Sequence, residues 1–122
     1  MQLVSDSLYA AIGGEETIRA VVKDFYQMVY YDHQLQHYFE ETDMNALRDH
    51  QTEFLSMVTG GPSEYSGRDM QAAHTGLDIT KQDFDLVVSY LERALKQNEV
   101  SEDHREQILS TVATYEDAIV GQ

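Results

Sequence analysis

Apolar residues recur at helical spacing along most of this chain, and no strand-like alternation of apolar and polar residues competes with that period. The stripes have the i, i+3, i+4, i+7 spacing that places side chains on one face of a helix. Three of them are Val21, Val22, Phe25, Tyr26 and Val29; Met44, Leu47, Phe54, Leu55 and Val58; and Phe84, Val87, Val88, Leu91 and Leu95. The pattern predicts an all-α fold.

Turn residues divide the stripes into separate helices. Gly13-Gly14 separates a short helix over Leu8 to Ile12 from a longer one that runs from about Glu15 to Tyr30. The only proline, Pro62, lies in the one clear loop, residues 60–67. We expect five main helices and two or three short turns.

Side chains that can cap a helix N-terminus mark where later helices begin. Asp32 and Asp43 are predicted to cap the helices that follow them, and Thr80 to cap the stripe that starts at Phe84. Ser101 opens the last predicted helix. That helix carries Ile108, Val112, Tyr115 and Ile119 at heptad-like spacing.

Polar side chains interrupt the inward faces of these helices. His50 and Gln51 fall within the second stripe, and His74 shares a face with Met70 and Leu77. A buried imidazole or amide without a partner costs about 1–3 kcal/mol, so each must find one inside the fold. The pattern indicates that something polarisable lies between the helices.

Composition excludes several classes of function. The 122-residue length allows one core, and the net charge of −14 disfavours nucleic acids and anionic lipids, with no basic cluster visible in the sequence. The absence of cysteine excludes disulfides, thiol catalysis and Cys-based metal sites. No apolar run approaches the ~20 residues of a membrane span, and no signal peptide is evident, so a cytoplasmic location is expected.

Other metal and nucleotide sites find little support. His33 and His37 have the spacing of a metal pair, but Gln34 stands where a zinc protease has glutamate and no third ligand is obvious. No histidine follows a glutamate by three residues, which disfavours a di-iron carboxylate bundle. Gly60-Gly61 lacks the Lys-Ser or Lys-Thr of a phosphate-binding loop.

A lone histidine on an apolar face, such as His74, is usually a core residue with a hydrogen-bond partner. Here the residue types predicted to surround His74 favour a role as a metal ligand instead. Aromatic, hydroxyl, amide and imidazole groups come together from three helices and a turn: Phe25, Tyr26, Tyr38, Phe39, Leu47, His50, Gln51, Phe54, Met70 and His74. Such a set suits a flat apolar macrocycle whose metal takes one imidazole.

A series of short motifs, in this order and spacing, resembles the truncated haemoglobins of the first group. The motifs are Leu8-Tyr9-x-x-Ile12-Gly13-Gly14, Asp24-Phe25-Tyr26, Tyr38-Phe39, Asp43-Met44, His50-Gln51-x-x-Phe54-Leu55, Gly60-Gly61-Pro62-x-x-Tyr65-x-Gly67 and Met70-x-x-x-His74. The match runs from Leu8 to about Ile119. It implies a two-over-two helical sandwich, with residues 1–122 as a single truncated globin domain around non-covalent haem b.

The resemblance also implies roles for single residues. His74 would be the proximal iron ligand, Phe39 would pack on the haem face, and Tyr26 and Gln51 would be the distal hydrogen-bonding pair for oxygen. Leucine cannot donate a hydrogen bond, so Leu47, where many globins carry a distal histidine, leaves that work to the pair. Further pocket-lining residues are implied: Phe25, Phe54, Val58, Met70 and Leu77.

Two positions bear on how the haem is held. Some relatives attach a haem vinyl group to a histidine of the last helix, but Tyr115, Glu116 and Asp117 stand here, so covalent haem is not predicted. In some relatives a histidine at the position of His50 binds the iron as sixth ligand. In others that position faces the propionates, and we expect His50 to bind iron in part of the population when no exogenous ligand is present.

The resemblance therefore implies reversible oxygen binding and the oxidation of nitric oxide to nitrate, with a reductase as partner and carbon monoxide as a further ligand. The alternative is a six-coordinate protein for electron transfer or ligand sensing, in which His50 and His74 both hold iron. A haem-free acidic interaction module would not explain why His74, Tyr26 and Gln51 face inward together.

Overall fold

Six α-helices and one 3₁₀ helix form the regular structure of residues 7–40, 43–63 and 78–121, which the computed structural model describes. In chain order the elements are α1 (Leu8–Ile12), α2 (Gly14–Tyr30), the 3₁₀ helix (Gln36–Phe39), α3 (Met44–Val58), α4 (Lys81–Gln97), α5 (Glu102–Ala113) and α6 (Glu116–Ile119). Within those residues the only β pairing is an isolated parallel bridge between Ile79 and Val120. The predicted all-α class is confirmed.

Three of the predicted caps begin helices as expected. The Asp43 carboxylate accepts hydrogen bonds from the backbone N–H groups of Asn45 and Ala46 at the start of α3. The Thr80 hydroxyl accepts one from the N–H of Asp83, and the Ser101 hydroxyl one from the N–H of His104. Each satisfies a donor that the first helical turn leaves without an intrahelical partner.

Two local predictions were wrong. Asp32 accepts a hydrogen bond from the N–H of Gln34, but this closes a turn, and the 3₁₀ helix that follows begins after Leu35 without a side-chain cap. The last predicted helix is broken: α5 ends at Ala113, and α6 starts at Glu116. At the break, the Thr114 hydroxyl donates a hydrogen bond to the backbone carbonyl of Thr111. This carbonyl, in the last turn of α5, thereby has a side-chain partner.

The helices pack as two pairs. Helix α2 lies against α3 and also against α4, and α5 packs on α4 and α3. The apolar stripe of α2 forms the middle of the core, where Val21, Val22 and Val29 are almost completely buried. This is the two-over-two sandwich that the motifs predict, and it leaves one face of each of α2, α3 and α4 turned toward a common interior.

The turn after α3 fixes how that helix meets the start of the chain. The backbone N–H of Tyr9 donates to the carbonyl of Thr59 at 2.7 Å, and the Tyr9 ring lies over Gly61. A Cβ atom at Gly61 would come within 2.3 Å of that ring. Gly61 is therefore required by the close approach of an aromatic ring.

In the part of the chain that the structure describes, no helix has the length and apolar character needed to cross a bilayer.

Candidate functional site

A cavity of about 210 Å³ lies between α2, the 3₁₀ helix, α3 and α4. A single water needs about 10–15 Å³ of such space, so the cavity is much larger than a packing defect. Among the described lining residues, thirteen are apolar: Phe25, Val29, Leu35, Phe39, Leu47, Phe54, Ile79, Phe84, Val87, Val88, Leu91, Val112 and Ile119. The polar residues of this described lining are Tyr26, Tyr38, Gln51 and Asp83.

Tyr26 and Gln51 bring polar groups to the wall from two facing helices, α2 and α3. Tyr26 is only 7% exposed. Its ring meets those of Phe25 and Phe39 edge to face, with centroids 4.7 and 6.3 Å apart. These contacts restrict the ring, so the phenol is held at a defined place on the wall.

The α3 wall follows from helical spacing. Leu47, Gln51 and Phe54 are four and three residues apart and therefore share the face that lines the cavity. Phe54 is 1% exposed, and its ring packs edge to face on Tyr115 with centroids 5.3 Å apart. The hydroxyl of Tyr115 points to the Met57 sulfur at 3.8 Å. Gln51 is thus the one amide on an otherwise apolar stretch of wall.

Another polar group on the wall is a buried carboxylate, Asp83, near the start of α4. It accepts hydrogen bonds from the Tyr38 hydroxyl at 2.6 Å and from the Gln34 side-chain amide. These donors, Tyr38 first, stabilise the charged form and lower the pKa of Asp83. Burial, together with the bond to Asp83, raises the pKa of Tyr38 to about 12.

The division of polar groups limits what the cavity can bind. The Tyr38 hydroxyl donates a hydrogen bond to the Asp83 carboxylate, so these two polar groups are paired within the protein. Tyr26 and Gln51 add a phenol and an amide to the described lining. Broad aromatic and aliphatic walls with a few placed donors fit a flat apolar group that carries a small polar ligand on one side. The described lining therefore has the chemistry that a haem would contact.

Comparison with known proteins decides the family. The family model described as bacterial-like globin matches residues 7–120. A group 1 truncated haemoglobin of Mycolicibacterium paratuberculosis is 39% identical over 107 residues, which are 88% of this chain and 79% of that protein. The chain belongs to the group 1 truncated haemoglobins.

Solved structures agree with that assignment. The ferric form of the truncated haemoglobin from Tetrahymena pyriformis superposes with a TM-score of 0.88 at 31% identity, covering 96% of this chain and all of that one. The two-over-two haemoglobin of Synechococcus sp. PCC 7002, solved with covalently attached haem, gives a TM-score of 0.86 at 29% identity, covering 93% of this chain and 98% of that one. This truncated haemoglobin is a haem globin of a family that binds diatomic gases, and non-covalent haem b is the usual form of the cofactor in that family.

The structure brings seven of the sequence-predicted residues together on the cavity wall of this truncated haemoglobin: Phe25, Tyr26, Tyr38, Phe39, Leu47, Gln51 and Phe54. Val58 is half-buried and packs against the core instead of lining the cavity. Met70, His74 and Leu77 lie outside the described residues.

His50 differs from the expectation that it lies on an inward face. It is exposed and is not among the residues that line the cavity. The reason is helical geometry, because Leu47, Gln51 and Phe54 occupy the centre of the inward stripe and His50 lies at its edge. His33 and His37 are also exposed. Within the described ranges, no group of three or more histidine or carboxylate side chains could hold a metal ion.

Sequence reasoning missed the whole α4 side of the pocket. Phe84, Val87, Val88 and Leu91 appear in the sequence as an ordinary helix stripe, which does not distinguish pocket lining from core. Asp83 carries one local signal, its place three residues after the Thr80 cap. Nothing in that spacing places its carboxylate against Tyr38, 45 residues earlier.

Proposed function

We propose that this truncated haemoglobin binds oxygen reversibly between Tyr26 and Gln51, and that it uses the bound oxygen to oxidise nitric oxide to nitrate. The observation that carries the proposal is the pair of polar side chains, Tyr26 and Gln51, that two facing helices bring to the wall of a mainly apolar cavity. Haem, when bound, supplies a ferrous iron that coordinates a diatomic gas. The family resemblance makes His74 the proximal ligand in this proposal.

The two side chains would select between gases by charge. A ferrous haem would give oxygen more partial negative charge than it gives carbon monoxide, so oxygen would gain more from a hydrogen-bond donor. A phenol hydroxyl and an amide N–H both donate hydrogen bonds, and a donor fixed in an apolar enclosure needs little reorganisation. The aromatic contacts of Tyr26 fix its donor in this way. The apolar lining also suits the entry of uncharged gases.

Nitrate production adds a requirement for an electron donor. Conversion of oxygen and nitric oxide to nitrate takes up one electron, which a ferrous haem would supply, so each turnover would need one electron from outside. The proposal therefore includes a reductase as partner. None of the lining residues has to act as a proton donor, because the products carry no proton.

The direct test is to mix the oxygenated protein with nitric oxide under stopped flow and to analyse the products. The proposal expects one nitrate per haem and the ferric spectrum at the end of the reaction. Recovery of nitrite without nitrate, with the oxygenated spectrum persisting, would overturn the dioxygenase half. Reversible oxygen binding would be judged separately from the oxygen dissociation rate.

The exposure of His50 gives the open distal site more support than the six-coordinate alternative. The two are separated by the ferric spectrum at neutral pH without added ligand. A low-spin spectrum that turns high-spin in His50→Ala would establish ligation by His50. A high-spin wild-type spectrum that His50→Ala leaves unchanged would remove His50 from the iron. Acid should also release a ligating His50, because only the neutral imidazole binds metal.

A further inference from the structure

A groove of about 460 Å³ runs on the outside of the molecule between α2 and the start of α3. Its α2 wall has helical spacing, with Lys23, Tyr26, Gln27 and Tyr30 at i, i+3, i+4 and i+7. Tyr31, Met44 and Arg48 complete the described lining. The groove therefore combines two cations with aromatic and apolar walls.

The charge of this groove is opposite to that of the protein as a whole. The chain has 22 acidic and 8 basic residues, yet no acidic residue is among the described residues that line the groove. Within the described part of the chain, neither Lys23 nor Arg48 has an ion-pair partner. Arg19, in the adjacent groove, is instead paired with Glu15 and Asp49. Arg48 donates a hydrogen bond to the side-chain oxygen of Asn45, which is uncharged. The charges of Lys23 and Arg48 are thus not neutralised by a described acidic side chain and can attract an external anion.

The aromatic wall is exposed where the cations are. Tyr30 is 43% and Tyr31 70% exposed, and their rings meet edge to face with centroids 5.5 Å apart. Exposed tyrosines offer flat apolar area at little cost in side-chain entropy. A planar guanidinium matches the oxygens of a phosphate in two parallel hydrogen bonds, and an ammonium adds a point charge.

We infer that this groove is a binding site for a small aromatic phosphate, whose ring packs on Tyr30 and Tyr31 and whose phosphate binds Arg48 and Lys23. A small anion fits better than an acidic protein, because the net charge of −14 would repel the further acidic groups of a large partner. At physiological ionic strength charges are screened over about 8 Å, so the local cations act on a small ligand within the groove.

Tyr26 connects the groove with the central cavity, because it is a lining residue of both. An occupant of the groove therefore lies against the residue that also faces the cavity. The site is nevertheless separate from the haem pocket, since its cations do not line that cavity.

The test uses phenyl phosphate as the probe and the full chain, loaded with haem and carbon monoxide, as the protein. Amide NMR signals of Gln27, Tyr30 and Tyr31 should shift in a saturable way during titration. Inorganic phosphate and phenol, which each lack half of the recognised group, should bind more weakly. Raising the sodium chloride concentration from 50 to 300 mM should weaken binding of the phosphate ester.

Matched variants decide whether the groove itself binds the probe. Arg48→Gln and Lys23→Gln should each weaken phenyl phosphate about two- to fivefold, the range expected for an exposed charge interaction. Lys96→Gln removes the same charge from an exposed residue of α4 and should leave the affinity unchanged. The inference is overturned if wild type shows no saturable shift, or if both groove variants bind as well as wild type. It is also overturned if Lys96→Gln weakens binding equally, or if inorganic phosphate binds as tightly as the ester.

Discussion

The Tyr26 hydroxyl is the single group whose removal should most change ligand kinetics, since Tyr26 lines the cavity and its ring is fixed by Phe25 and Phe39. Tyr26→Phe keeps the ring and deletes the donor. We expect oxygen dissociation to speed up about 5- to 150-fold, corresponding to a loss of about 1–3 kcal/mol, with a smaller change for carbon monoxide. Gln51→Ala should act in the same direction but less strongly. Stopped-flow dissociation rates measure both.

Tyr90→Phe is the matched control for this experiment. This variant also removes a tyrosine hydroxyl. In the wild-type protein that hydroxyl donates to Asp32 at 2.5 Å, and Tyr90 does not line the cavity. Its oxygen dissociation rate should equal that of wild type. Unchanged rates in both Tyr26→Phe and Gln51→Ala would remove these residues from the distal role.

The hydrogen bonds of Asp83 predict that the free energy of unfolding depends on pH. The pKa of Asp83 is lowered in the folded protein, first by the hydrogen bond from Tyr38. Its stabilising contribution is therefore fully present at pH values above the ordinary carboxyl pKa, and it is lost as the pH falls through the lowered pKa of the folded state. Asp83→Asn should cost about 1.5–3 kcal/mol at neutral pH, because bonds to a charged acceptor are replaced. The difference from wild type should narrow below about pH 4.

Urea unfolding of both proteins at pH 7 and pH 3 measures that difference. Asp85→Asn is a suitable control, since Asp85 is an exposed carboxylate on the same helix. A difference between wild type and Asp83→Asn that is the same at both pH values would show that the charge of Asp83 does not stabilise the fold.

At the level of the elements, the contact between α1 and the end of α3 depends on the absence of a side chain at Gly61. A Cβ there would meet the Tyr9 ring at 2.3 Å, and the atoms it meets include Cγ, which cannot move far from the backbone. Gly61→Ala should therefore destabilise the fold by about 1–3 kcal/mol, the usual cost of overpacking. Thermal unfolding measures the loss.

The double variant Tyr9→Ala/Gly61→Ala identifies the cause. If the ring is the obstacle, the double variant should be more stable than the sum of the two single losses predicts. Strict additivity would contradict a steric origin.

The sequence predicted these elements well where a helix depends on local chemistry. Thr80 and Asp43 cap helices because their side chains bond to N–H groups two or three residues away, which spacing alone reveals. The break between α5 and α6 was missed because Tyr115 continues the apolar spacing while its ring packs on Phe54, a contact across 61 residues. Asp83 was missed for the same reason, since its partners lie far away in the chain.

The candidate site likewise contains residues that the sequence predicted and residues that it did not. Tyr26, Gln51 and Phe39 were found because the family motifs contain them, and the structure lines the cavity with all three. His50 was placed inward because its stripe is apolar, but a residue at the edge of a stripe can face either way, and here it is exposed. The basic groove was missed because Lys23 and Arg48 meet only when α2 packs against α3.

For the molecule as a whole, the cavity couples haem binding to stability. Apolar side chains of α2, α3 and α4 face the cavity, and without a ligand they gain nothing from burial against it. A ligand that binds only the folded state stabilises it by about 4 kcal/mol at a thousand times its dissociation constant. The apoprotein should therefore unfold at a lower temperature than the haem-loaded protein, as circular dichroism would measure. Equal melting temperatures would contradict a haem site in the core.

The central claim is that this cavity holds haem through His74, and the visible absorption spectrum of protein titrated with haemin tests it most directly. The account predicts that wild type and His33→Ala, which alters an exposed histidine, give the same stoichiometric globin spectrum. His74→Ala should lose that spectrum and release haem far more readily, with loose binding left by burial of the porphyrin. A His74→Ala protein that keeps the wild-type spectrum and haem affinity would contradict the account.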